Sequence, residues 1–123
     1  MGDQSTTSET CLKSLINISA ESWRFSRLFS KLLSKMDAGE SQRYANQLRF
    51  FVKQLEENLE AAGLKIANVE GLPFDPGIAA TPLNIEDFNT DEILIIDQMV
   101  EPIILGPEGV LRTGTVILRK AQL

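Results

Sequence analysis

Four carboxylates crowd one short stretch of this chain, Glu86, Asp87, Asp91 and Glu92, and clustered acids are what a hard cation such as calcium or magnesium takes as ligands. No glycine lies among them to make the tight turn of an EF-hand loop, so the expectation is a solvated acidic loop and no metal site. Three glycines, Gly106, Gly109 and Gly114, are spaced like part of a phosphate-binding loop. A nucleotide fingerprint has to open a helix whose N-terminus holds the phosphate, whereas here strand-forming residues lie on both sides, so they read as hairpin-turn residues. Cys11 has no histidine anywhere in the chain to activate it and reads as a small, at least half-buried residue near the start of a helix.

The complete lack of histidine removes the usual general base, proton shuttle and metal ligand. A single cysteine excludes an internal disulfide. No cofactor or small-molecule substrate is expected, and the chain reads as a non-enzyme. A carboxylate enzyme using Asp75, Glu86 or Asp97 would need a deep pocket that raises one of their pKa values. The formal net charge of −5 disfavours nucleic acid, and no apolar run approaches a bilayer-spanning length. The polar, acid-bearing start has no lysine or arginine, the reverse of a targeting segment, which predicts a cytoplasmic protein with a protein partner.

The elements that carry these residues fall into two halves. Residues 1–8 are polar with little to bury and predict a frayed tail. From Glu9 to Met36 there is neither proline nor glycine, and Leu12, Leu15, Ile16, Trp23, Leu28, Phe29, Leu32, Leu33 and Met36 recur at mostly helical spacing. The stripe changes phase between Asn17 and Ser22, where Ser19 could cap a second start and break or kink the helix. Residues 37–41 read as a short turn, and a second helix is expected from about Ser41 to Ala62, with Gly63 as a left-handed C-cap. Its apolar stripe is Tyr44, Leu48, Phe51, Val52, Leu55, Leu59 and Ala62.

Two amphipathic helices make half a bundle, so the hairpin over residues 9–70 is expected to form a dimeric four-helix bundle, with Leu48, Phe51, Val52, Leu55 and Leu59 at the two-fold axis. The other solution is a hairpin covered by the strands that follow. Of the aromatic residues, Trp23, Phe25, Phe29, Tyr44, Phe50 and Phe51, most read as core, while Phe25 and Phe50 lie off the best stripe and point to a partner surface. All five prolines, Pro73, Pro76, Pro82, Pro102 and Pro107, follow Gly71, so residues 71–123 predict a small all-β domain. Its strands are expected at Ile93–Val100, Ile103–Leu105 and Val110–Leu118, with a turn at Gly106–Gly109. The fold class is therefore α+β.

Two segments go further than composition. After Leu55, Leu59, Gly63, Leu64 and Ile66 comes Gly71-Leu72-Pro73-Phe74-Asp75-Pro76, and the chain closes on Gly109-Val110-Leu111-Arg112, then Val116, Leu118, Lys120 and Ala121. Over roughly residues 40–121 this resembles the hinge and β-domain of the GrpE family, nucleotide exchange factors of the DnaK-type heat-shock chaperone. The resemblance implies a homodimeric cochaperone of the stress response that binds the chaperone's nucleotide-binding domain and promotes ADP release. Arg112 falls on the family's second arginine of Gly-Arg-x-Leu-Arg, and Leu111, Gly109, Pro107, Gly106, Asp75 and Pro76 fall on its docking patches. By residue type alone Arg112 equally fits a surface strand arginine.

The departures from the family pattern are specific. Gly77–Ala80 lacks the histidine expected after Asp75-Pro76, Val110 replaces the first arginine, and Leu105-Gly106-Pro107 replaces an aromatic-glycine turn. Only a stub of the family's long paired-helix stalk is expected. These departures support the rival expectation, a dimeric adaptor or regulator that keeps the fold without exchange activity.

Overall fold

Glycine and proline are absent from residues 9–36, and the structure carries nearly all of that stretch in one helix. The computed structural model of the chain describes the backbone of residues 2–122 and the side chains of residues 6–122. Helix α1 spans Gly2–Leu33 and α2 spans Ala38–Ala61. The six strands are β1 (Lys65–Ala67), β2 (Ala80–Pro82), β3 (Leu94–Glu101), β4 (Ile103–Gly106), β5 (Gly109–Arg112) and β6 (Gly114–Lys120). The order is helices, then small sheets, an α+β chain that divides into one unit ending at Ala62 and another beginning at Gly63.

In the first unit α1 is unbroken, and Ser19 lies inside it rather than capping a second start. The phase change is absorbed by small residues: Ser19, Ala20 and Ser26 are buried, and the Ser26 hydroxyl satisfies itself on the Trp23 carbonyl at 2.6 Å. The tail expected over residues 1–8 is helical from Gly2, while Met1 lies outside the described residues. Helix α2 starts before Ser41, because Asp37 in extended conformation accepts the Gly39 N–H on its side chain and so caps the helix from Ala38. Gly63 adopts φ +77°, the left-handed conformation that ends α2 without the steric cost a Cβ would bring.

The second unit begins at Gly63, not at Gly71, because β1 pairs with β4 in an antiparallel ladder from Lys65↔Leu105 to Ala67↔Ile103. Sheet order is β1-β4-β5 in one sheet and β2-β6-β3 in the other, with β2 parallel to β6 and every other named pair antiparallel. The short strands β1 and β2 give too few residues for a period-two pattern to be visible in the sequence. The longer ones alternate as half-buried strands should, burying Leu94, Ile96 and Met99 on β3 and Val116 and Leu118 on β6. Ile103 and Ile104 complete the core from β4.

The chain changes sheets three times: between β1 and β2, at the buried Pro102 between β3 and β4, and at Thr113 between β5 and β6. The single strand expected over Val110–Leu118 is therefore two strands in two sheets. Gly114 allows this corner: a Cβ there would sit 2.7 Å from the Glu101 carbonyl oxygen and 2.9 Å from Ile103 Cγ1. The Gly71–Phe74 segment does not act as a connector outside the unit. It runs along β3, with Gly71 N–H donating to Ile96 O at 2.8 Å, Ile96 N–H to Leu72 O at 2.9 Å and Phe74 N–H to Leu94 O at 2.9 Å.

Candidate docking surfaces

The β4–β5 hairpin gathers most of the residues that the resemblance marks for docking. Gly106 and Gly109 face each other across its tip, Pro107 and Glu108 make the turn, and Gly109 takes φ +135°, open to glycine and closed to other residues. The ladder then slips, pairing Leu105 with Val110 but Ile104 with Arg112, so Leu111 is an extra residue in a bulge. Leu111 lies back over Gly106, where a Cβ would come within 2.7 Å of Leu111 Cδ1. The small residue at 106 thus creates the seat for Leu111, while Pro107, Val110 and Leu111 remain exposed.

At the base of the hairpin Arg112 meets the chain's own carboxylate. Its Nη2 donates to Glu101 Oε2 at 2.9 Å, and Thr115 Oγ1 donates to Glu101 Oε1 at 3.2 Å. This clasp ties β5 and β6 to the end of β3 at the corner where the chain changes sheets. A partly exposed pair of this kind contributes about 0.5–1 kcal/mol. Arg112 is thus a fold residue as well as a docking candidate, and about a quarter of its side chain reaches solvent, at 28% exposure.

Asp75 and Pro76 are not brought to this hairpin. They follow Phe74, which pairs at Leu94 opposite Lys120, whereas the Arg112 clasp sits at Thr115; the intervening part of β6 is roughly 15–20 Å long at 3.3 Å per residue. The Asp75 carboxylate accepts the Gly77 N–H at 2.9 Å in a local turn. The acids Glu86, Asp87 and Asp91 are exposed, and Glu92 pairs with Lys120 at 3.3 Å. Among the described residues, no group of three or more histidine, cysteine, aspartate or glutamate side chains is placed to hold a metal ion.

The helical unit presents a different surface. An open groove of about 390 Å3 between α1 and α2 is lined by Phe25, Phe29, Leu48, Phe50, Phe51 and the polar Ser26, Gln47 and Gln54. Phe25 and Phe50 are 63% and 62% exposed, and Ile18, Leu28 and Leu32 are also more than half exposed. Of the residues expected at a two-fold axis, Phe51 is exposed and Leu48, Val52 and Leu55 are half-buried. Leu59 is only 1% exposed within the single chain, so it has no area left to offer a second copy. Cys11 is exposed on α1, contrary to the expectation of a buried or half-buried residue, because the apolar seam passes through Ile16, Ser19 and Ala20 instead.

No helix among the described residues is long and apolar enough to cross a membrane. No protein family, curated protein or solved structure matches the chain.

Proposed function

We propose that this chain is a GrpE-like homodimeric cochaperone that docks through its β unit on the nucleotide-binding domain of a DnaK-type chaperone and promotes ADP release. The observation that carries this reading is the β4–β5 hairpin: the terminal patch of the GrpE resemblance folds into one fixed projection, with Pro107, Val110 and Leu111 exposed and Arg112 at its base. The exposed aromatic face of the helical unit supports the dimer, since a four-helix bundle would cover Phe25, Phe50 and Phe51. Exchange of this kind needs no bond chemistry. A protein that binds the open nucleotide cleft more tightly than the closed one shifts the chaperone toward opening by that difference in affinity.

The test is ADP release from a DnaK-type chaperone, followed with a labelled nucleotide, using the wild type, Arg112→Ala and Glu101→Gln. If Arg112 reaches the chaperone, the wild type accelerates release, Arg112→Ala loses most of that acceleration, and Glu101→Gln keeps it because the arginine remains. Equal losses in both variants make Arg112 a clasp of the fold alone. No acceleration by a wild type that still dimerises favours the second reading, a dimeric adaptor without exchange activity. The observation on that side is the internal engagement of Arg112 by Glu101, together with Val110 standing where the family has an arginine.

A further inference from the structure

Residues 83–93 are held along β6 from Val116 to Ala121 and keep large apolar side chains in solvent. Leu83 is 60% and Ile93 66% exposed, and Ile85 between them is also exposed. This exposure does not come from a slack loop. Leu83 N–H donates to Val116 O at 2.9 Å and Ala121 N–H to Ile93 O at 2.9 Å, so the segment is fixed at both ends. Directly after Leu83 the Asn84 side chain takes both backbone groups of Leu118, accepting from N–H and donating to the carbonyl, each at 2.9 Å. Glu92 adds the ion pair to Lys120. A segment braced this way cannot fold its apolar groups inward without breaking those bonds.

The charges of the segment have one sign. It contains Glu86, Asp87, Asp91 and Glu92 and no lysine or arginine. Elsewhere in the β unit Arg112, Arg119 and Lys120 are engaged by Glu101, Asp97 and Glu92, and the remaining base, Lys65, lies on β1 in the other sheet. Glu86, Asp87 and Asp91 are exposed and lie within the same short segment as the three apolar side chains. We propose that residues 83–93 are a docking surface for a cationic amphipathic helix of a partner protein, with apolar residues over Leu83, Ile85 and Ile93 and lysine or arginine toward Glu86, Asp87 and Asp91. Apolar contact supplies affinity there and the acids supply steering and orientation. The same charges repel nucleic acid and anionic membranes. The segment follows β6 from Val116, next to Thr115 of the Arg112 clasp, to Ala121, and the proposal does not rest on the cochaperone reading.

The experiment is fluorescence anisotropy on the full chain with a labelled Lys/Leu peptide of amphipathic helical pattern, and with a Glu/Leu peptide of the same pattern as control. The expected result is binding of the Lys/Leu peptide alone. Affinity should fall about tenfold in the combined Glu86→Gln, Asp87→Asn, Asp91→Asn variant and by a similar factor in Leu83→Ser with Ile93→Ser. Glu108→Gln, an acid on the hairpin tip, should leave it unchanged, and thermal melts should verify that each variant is folded. The proposal is overturned by no binding, by equal loss in Glu108→Gln, which would mean attraction to net charge alone, or by folded variants at residues 83–93 that bind as the wild type does.

Discussion

The helical unit and the β unit solve the burial problem in opposite ways. Through Ala62 the chain carries eight acidic and eight basic residues; from Gly63 on it carries nine acidic and four basic, so the whole net charge belongs to the β unit. The β unit buries Leu64, Leu94, Ile96, Met99, Ile103, Ile104, Val116 and Leu118, enough to close its own core. The helical unit buries Ile16, Ala20, Leu33 and Leu59 and leaves Leu12, Ile18, Phe25, Leu28, Leu32, Phe50 and Phe51 in solvent. Two helices present two apolar faces and can cover only part of each other, whereas sheets that exchange strands at Pro102 and Thr113 enclose a common interior. The neutral unit is therefore the one with an open apolar face, and the acidic unit the one whose core is closed.

The largest effect should come from breaking the helical side of this contrast. Phe50→Asp places a charge where the pairing of hairpins would bury an aromatic ring, and at about 3–5 kcal/mol for such a core loss the dimer should weaken by more than a hundredfold. The reading is thermal melting by circular dichroism, in which the concentration dependence of the wild-type helix transition should vanish in the variant.

Gly114→Ala strikes the β unit with comparable force but a different signature. The added Cβ collides with the Glu101 carbonyl and Ile103, backbone and core that have no free end to swing away, so a loss of about 2–3 kcal/mol is expected in denaturant unfolding. Association through the helices should be untouched. If Gly114→Ala instead abolished dimerisation, the independence of the two units would be wrong.

Smaller effects sharpen the same division. Asn84→Ala removes two hydrogen bonds to Leu118 and should cost the β unit about 1–2 kcal/mol, read as an earlier denaturant midpoint. Asp37→Ala removes the cap of α2, and the expected loss of about 1 kcal/mol should show as a lower melting temperature of the helical transition.

How much of this was legible depended on element length. The helix periodicity, Gly63 as the end of α2 and the turn at Gly106–Gly109 carry local signals that need no tertiary information. The start of α2 is not legible locally, because Asp37 and Gly39 are turn-forming residue types and only the bond from the Gly39 N–H to the Asp37 side chain makes them a helix cap. Strands β1 and β2 are set by their partners β4 and β6, and the split at Thr113 by the contact over Gly114, all long-range facts absent from local pattern. Among the candidate site residues, Phe25 and Phe50 stood out by lying off the stripe. The engagement of Arg112 by Glu101 did not, since those two residues meet only through the change of sheet at Pro102 and the β4–β5 hairpin that follows it.

Sedimentation velocity of the full chain, across a range of concentrations around the micromolar, measures the contrast at its root. A mass twice that of the chain, falling to the chain mass in Phe50→Asp while the β unit stays folded, is the result expected of a helical unit completed by a second copy. A wild type that sediments as a stable, folded monomer at every concentration would contradict it.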